Sequence, residues 1–364
     1  MVEITPEIQA QLDEQKQNCI FCKIIAKEQE SQIVYEDDTI IATLDINPWV
    51  KGHTLLMPKE HYPIIPYLPA ETFKHMFGII PKLTQAYKDS LIVPSVNVLI
   101  ANGGSAGQQA PHFLVHLLPR EPGDTLNKFD LVGEVDENET ETKSSYDMLK
   151  NNIPIMMGNH FNRNPASWHN GAIPESVHLS DIKQQNTIVY EDEKALCVIP
   201  KNPLVKGHLV IYSQDEKSDF EKLDDESGSH LFYVASFAAT GVFEGLQAHG
   251  SNIILKSGLT DDNPDGMLAL HVLPRYEGDG LDVLGTVLEP KPDLNALAEK
   301  IKDRTFLIQH KLSQDQITED KIEKSQDSGE AISKVLQSKK EESKEEKSSL
   351  DEISDAINKL KKGF

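Results

Sequence analysis

The segment Gly107–Arg120 reads G-Q-Q-A-P-H-F-L-V-H-L-L-P-R and places two imidazoles, His112 and His116, just after a glycine-rich loop. The glycines of that loop serve a tight turn that needs them for backbone reasons alone. A second group is the pair Cys19 and Cys22 in C-I-F-C. Two thiols at this spacing can ligate a metal, exchange electrons, or lie buried as small core residues. Two further histidines, His53 and His208, each close a K-G-H before an apolar run, and Arg120 and Arg275 each follow a proline.

The elements that position these groups occur twice. V-Y-E-D at Val34–Asp37 recurs at Val189–Asp192, and N-P-W-V-K-G-H at Asn47–His53 recurs as N-P-L-V-K-G-H at Asn202–His208. H-L-L-P-R-E-P-G-D at His116–Asp124 recurs as H-V-L-P-R-Y-E-G-D at His271–Asp279. All three shifts are 155 residues, so the chain carries two copies of one domain. In the first copy, Ile33–Tyr35, Thr39–Leu44, Thr54–Met57, Val96–Ile100 and His112–Leu118 read as strands. Apolar residues at helical spacing predict one amphipathic helix over Pro69–Leu91. Strands, a long helix, then strands without βαβ alternation predict an α+β fold with an antiparallel sheet. His53, His208, Arg120 and Arg275 appear in both copies and read as features of the fold. Cys197, within A-L-C-V-I, reads as a core residue.

Gly107–Arg120, together with C-I-F-C-K-I-I, V-Y-E-D-D and L-D-I-N-P-W-V-K-G-H, resembles the histidine triad (HIT) superfamily, whose hallmark is H-x-H-x-H after a Gly-Gln loop. The resemblance covers residues 19–124 and 174–279. It implies two tandem domains whose sheets join as an intramolecular pseudo-dimer, in a monomer or a homodimer. It also implies a nucleotide or nucleotidyl ligand. Asp45 would accept from the ribose hydroxyls, Gly107 and Gln108 would approach phosphate, and His116 would donate to it. The family places an Asn or Gln where this chain has Ala101, with Asn102 beside it. In the family the middle histidine attacks the α-phosphate, but here that position is Leu114, or Ala269 in the second copy. Neither is a nucleophile, and His116 lies about 6–7 Å along the strand, out of line for the attack. The expectation is a nucleotide-binding or scaffold protein with no catalytic residue. The alternatives are a hydrolase or nucleotidyltransferase with an altered mechanism, water attack assisted by His116, and a purely structural interaction module.

Some members of the superfamily, and the related galactose-1-phosphate uridylyltransferases, bind zinc with thiolates and the first triad histidine. By that resemblance Cys19, Cys22, His61 and His112 would complete a Cys2His2 tetrahedron holding one structural zinc. The offset places Pro174, Val177, Glu216 and Met267 at the four equivalent positions, so the set is absent as a set from the second copy. The phosphate loop there carries Asp261, Asp262 and Asp265, and Pro200 replaces Asp45, which predicts that phosphate is no longer bound.

Composition bounds the rest. The 364 residues hold 36 Lys+Arg against 58 Asp+Glu, a net charge of −22, which argues against a protein gripping a polynucleotide through its phosphates. No apolar run approaches the ~20 residues of a membrane span, and the acidic N-terminus lacks the layout of a signal peptide. Three cysteines are too few for a disulfide framework and predict a reducing cytoplasm. The expected organisation is an N-terminal extension over 1–18, a zinc-binding domain over 19–124, a linker over 125–188 with a short helix at Tyr146–Asn151, a degenerate domain over 189–312, and a charged tail over 313–364. Leu350, Ile353, Ile357 and Leu360 form a narrow helical stripe in that tail, the candidate contact for a protein partner.

Overall fold

The computed structural model describes residues 5–124, 126, 139–166, 168–169, 171–215, 219–279, 281 and 285–308. The tail and its apolar stripe lie outside these residues. The first half runs α1 (Pro6–Asn18), α2 (Ile20–Ile25), β1 (Ile33–Glu36), β2 (Ile40–Leu44), β3 (Thr54–Pro58), α3 (Ala70–Gly78), α4 (Ile80–Leu91), β4 (Ser95–Asn102) and β5 (Val115–Arg120). Helices α5 (Glu139–Arg163) and α6 (Ser180–Gln185) follow. The second half runs β6 (Thr187–Glu191), β7 (Ala195–Ile199), β8 (Leu209–Ser213), α7 (Asp225–Leu246), β9 (Gly250–Lys256) and β10 (Ala269–Arg275). A last helix, α8, covers 294–308.

The strands form one antiparallel sheet in the order β1-β2-β3-β5-β4-β9-β10-β8-β7-β6, so each half supplies five neighbouring strands. The halves meet where β4 pairs with β9. In that register Leu99 faces Ile254, its own counterpart at the 155-residue offset. On one side of the seam, Leu99, Leu118, Val50 and Leu126 share a buried cluster with Ile254, Leu273 and Val205. On the helical side, Phe73 stacks on Tyr233 and Phe77 on Phe232, with ring centroids 4.1 and 4.5 Å apart.

The repeated V-Y-E-D motif has a shared cause. Asp37 closes the β1–β2 turn by accepting from the Thr39 and Ile40 N–H groups, and its other oxygen meets Tyr35 Oη and His75 Nε2. Asp192 does the same with Lys194, Ala195, Tyr190 and His230. In each copy one carboxylate ties a hairpin to the helix beneath it.

Three expectations are corrected. The helix predicted over Pro69–Leu91 is two helices, α3 and α4, which meet at Ile79. Pro81 lacks the N–H that would reach the Phe77 carbonyl. Instead its ring packs where a Cβ on Gly228 of α7 would come within 2.8 Å. The second copy has no proline there and keeps one 22-residue helix. The last strand starts at Val115, not at His112. The Phe113 N–H donates to the Tyr62 carbonyl at 2.6 Å, which draws residues 112–113 off the ladder. The short helix expected at Tyr146–Asn151 extends over Glu139–Arg163. Its Leu149, Ile153, Met157 and Phe161 are buried, and Ile153 and Met148 seat over Gly241 and Gly245 of α7.

Candidate functional site

The first half brings its expected metal ligands together. Cys19 and Cys22 sit at the start of α2, His61 follows β3, and His112 lies in the loop before β5. The His112 Nδ1 atom is 3.6 Å from both sulfurs, and His61 Nδ1 is 3.3 Å from Cys22 Sγ. All four ligand atoms lie within 4.8 Å of one another. Two ligands on a tetrahedral zinc, one N and one S, stand about 3.5 Å apart by the usual bond lengths. The Pro58 carbonyl accepts from His112 Nε2 at 2.9 Å, which puts the ring proton there and turns the Nδ1 lone pair toward the thiols. Burial lowers His112 to about 4 and keeps the ring neutral, as a ligand must be. Cys19, His61 and His112 are buried and Cys22 is half-buried, and the Cys2His2 donor set fits a metal such as zinc.

Beside this cluster lies a cavity of about 660 Å3. Ile20, Phe21, Ile24, Leu44 and Ile46 bring apolar side chains to its lining, and Asp45, Gln108 and His116 bring polar groups. Leu114 lines it too, packed with Ile41, Leu55 and Met57, so an apolar side chain occupies the middle triad position. Among the described residues, Glu30 and Asp45 are the charged groups of its lining.

The histidine chemistry is fixed by a relay of hydrogen bonds. The Trp49 N–H donates to His53 Nδ1 at 3.2 Å, so the His53 proton lies on Nε2 and points to His116 Nδ1, 2.9 Å away. His116 is left with its proton on Nε2 as the one polar hydrogen it offers a ligand. Burial, and for His116 the neighbouring His53, holds both rings neutral, with each pKa down at about 3. A ring in this tautomer has no free lone pair with which to take a proton from water. The second copy repeats the relay from the Leu204 N–H to His208 and on to His271 at 3.2 Å. His53 and His208 are therefore parts of the fold, as their recurrence predicts.

Three of the expected contacts act differently. Asn102 is not among the cavity residues, because its Oδ1 accepts from the Ile65 N–H. The Gln108 amide holds its own loop, accepting from the Gly103 N–H and donating to the Pro63 and Ala110 carbonyls. The N–H groups of Gly107 and Gln108 donate to the Gly104 and Gly103 carbonyls. Glycines at φ +99° and +87° thus make a tight turn, not an anion nest.

In the second copy the corresponding positions carry an ion pair. Lys256 stands where the first copy has Ala101, and Asp262 where it has Gly107. Their side chains lie 3.1 Å apart, and the Arg120 guanidinium of the first copy donates to Asp262 at 2.7 Å. Burial alone would raise the Asp262 pKa, but Lys256 and Arg120 outweigh it and hold the carboxyl below its usual range. Asp261 accepts from the Gly123 N–H of the first copy. These acids do not confront a phosphate, as their sequence positions suggest; they are ion-paired and hydrogen-bonded across the seam.

A family model described as the HIT domain matches residues 26–123 and again 182–278, together more than half of the chain. The chain belongs to the HIT family. Protein hit of Bacillus subtilis is 42% identical over 104 residues, covering 29% of this chain and 72% of its own. An uncharacterized HIT-like protein of Methanocaldococcus jannaschii is 40% identical over 122 residues, 33% of this chain and 94% of its own. The adenylylsulfatase HINT3 of Arabidopsis thaliana is 38% identical over 109 residues, 30% of this chain and 55% of its own. Among solved structures, a HIT family protein from Bacillus anthracis is 36% identical, with TM-score 0.32, covering 39% of this chain and 96% of that one. A Zn-bound histidine triad family protein from Mycobacterium smegmatis is 32% identical, with TM-score 0.29, covering 30% and 81%.

Within this HIT protein two features of the pocket escaped the sequence. Trp49 stacks on His116 at 9° with centroids 5.2 Å apart, and the signal for it was the change from Trp49 to Leu204 within an otherwise matching motif. Gly285 and Val287, from beyond the second repeat, also line the cavity, and no local pattern marks them. No helix among the described residues is long and apolar enough to cross a membrane.

Proposed function

We propose that this HIT protein binds a nucleoside or nucleotide in its first copy without nucleotidyl transfer, while the degenerate second copy supports that site. The observation that carries the reading is Leu114 in the cavity wall beside a neutral, donor-only His116. The apolar lining residues Ile20, Phe21, Ile24, Leu44 and Ile46 suit a base, Asp45 is an acceptor for a ribose diol, and the His116 Nε2–H is a donor for a phosphate oxygen. Gly107 and Gln108 shape the cavity wall. Among the described lining residues no nucleophile stands at the middle triad position, and His116 has no lone pair to spare, which disfavours His116-assisted water attack. Zinc held by Cys19, Cys22, His61 and His112 would fasten the N-terminal helices to the sheet, a structural role. The β4–β9 seam is the support for reading the tandem as a pseudo-dimer within one chain. Three thiols without disulfides suit a reducing cytoplasm.

The test is incubation with a nucleoside phosphoramidate alongside calorimetric titration with AMP and GMP. Heat of binding without turnover is expected, and turnover should appear in Leu114→His. Turnover by the unmodified chain that His116→Ala abolishes would overturn the reading. Absence of any binding heat would leave the scaffold alternative.

A further inference from the structure

Two segments that line the first half's cavity run into the Cys/His cluster. Helix α2, with Cys19 at its N-cap and Cys22 inside it, gives the cavity Ile20, Phe21 and Ile24. The loop that carries His112 gives it Gln109 and Ala110 just before the histidine and Leu114 just after. The His112 ring itself meets Phe21 edge-on, with centroids 6.1 Å apart. Phe21 and Leu114 pack in turn on one group of sheet residues, Ile41, Leu55 and Met57.

The polar ties of α2 to the rest of its half are few. Among the described residues, the side chains of 19–25 reach polar partners beyond residue 29 through the two thiols, which meet His61 Nδ1 at 3.3 Å and His112 Nδ1 at 3.6 Å. A thiol is a weak hydrogen-bonding group, so these contacts alone hold α2 loosely. A metal shared by the four donors would tie α2 and the His112 loop to one point. The second copy anchors its matching segment with protein groups instead. Ser176 Oγ donates to the Gln214 amide oxygen at 2.7 Å, and His178 Nε2 donates to the Ser213 carbonyl at 3.2 Å. Ser213 is the counterpart of Pro58, whose carbonyl accepts from His112 in the first copy. The same carbonyl position holds a histidine in both copies, but in the first that histidine also faces two thiols.

We infer that the Cys/His cluster is a positioning device for the cavity: metal bound there sets α2 and residues 107–114, and through them raises the affinity of the cavity for its ligand. Such a coupling is reciprocal, so the ligand raises the affinity for the metal by the same factor. The ligand class rests on the nucleotide reading above, but the ordering of the two segments does not.

The experiment uses the full chain, loaded with zinc or stripped by a chelator, and first reads amide hydrogen exchange with no nucleotide present. Stripping should speed exchange in residues 20–25 and 107–114 and leave the matching residues 175–180 and 262–269 unchanged. Calorimetric titration with AMP then compares the two forms. Zinc should tighten AMP about tenfold, inside the usual coupling range of about 5–150-fold, and competition with a chromophoric chelator should show AMP tightening zinc equally. Phe21→Ala keeps all four ligands and should retain zinc, with the AMP gain reduced about threefold, as for a residue lying between two coupled sites. Exchange that is equal in the loaded and stripped chains, or that rises uniformly in both halves, overturns the positioning role. Equal AMP affinity in the two forms, or an unreduced gain in Phe21→Ala, overturns the coupling through α2. If AMP binds neither form while exchange rises in the two segments alone, the nucleotide reading falls and the positioning role stands.

Discussion

The two copies build one scaffold around different contents. The hydrogen-bond relay of His53 and His116 is repeated by His208 and His271, and the Asp37 turn by Asp192, with the same partners at the same offset. Where the first copy has Ala101 and Gly107 around an open cavity, the second has Lys256 and Asp262 in contact. The difference extends across the seam. Arg275 donates to Asp279 and to Asn252, and Asn252 in turn holds the Ala106 carbonyl. Arg120 keeps the bond to its own Asp124 but turns to Asp262, and both amide atoms of the equivalent buried Asn97 have no partner among the described residues. What the copies share is therefore required by the fold. What they do not share is an open cavity in one and, at matching positions, an internal ion pair in the other.

This contrast can be broken at three places. The largest effect lies at the Cys/His cluster, which among the described residues is found in the first copy. Cys22→Ser should release the zinc, about one atom per chain by elemental analysis, and remove binding free energy on the order of 10 kcal/mol. Retained metal, or unchanged thermal unfolding after metal loss, would refute the assignment. Next comes the ion pair at the seam. Arg120 and Asp262 side chains are 2% and 3% exposed, so Asp262→Ala removes one of the two carboxylates on Arg120 and the one that faces Lys256, and should cost about 3 kcal/mol in denaturant unfolding. The Asp262 pKa lies below the ordinary value of about 3.9, so its contribution is complete above that pH and is lost as pH falls through the folded value. Asp262→Asn should remove that part of the acid transition, and an unaltered acid profile would exclude it. The smallest effect distinguishes the two asparagines. Asn97→Val removes two unpaired polar atoms and should stabilise by about 1 kcal/mol, whereas Asn252→Val, which strips partners from Arg275 and Ala106, should destabilise by about 1–3 kcal/mol. Equal signs in chemical denaturation would show that the halves do not differ here.

The repeat made much of this legible. A shift of 155 residues carries the register of the sheet with it, because strands that pair alike in both copies keep the same spacing of turns and apolar residues. Cys19, Cys22, His61 and His112 could be read as a group because their counterparts disappear together. Other features depend on contacts between residues far apart in the chain. Pro81 lies within an unbroken helical pattern, and only its seat against Gly228 shows that a break there is accommodated. Gln108 looks like a ligand residue, but its amide is engaged by Pro63 from 45 positions away. Asp262 looks like a charge that repels phosphate, but Arg120 faces it from 142 positions away. Gly285 carries no side chain whose type announces a role, and its meaning comes wholly from the Trp49 indole beneath it.

The pairing of Leu99 with Ile254 has one more consequence. When two separate, identical subunits join through such a strand, association depends on concentration, and every substitution appears on both sides of the axis at once. Here both partners belong to a single chain, so the union is unimolecular and dilution does not separate the halves. A change on one side of the seam need not be matched on the other, and this freedom is what allows Lys256 and Asp262 to form an ion pair on one side while Ala101 and Gly107 stand at the matching positions on the other.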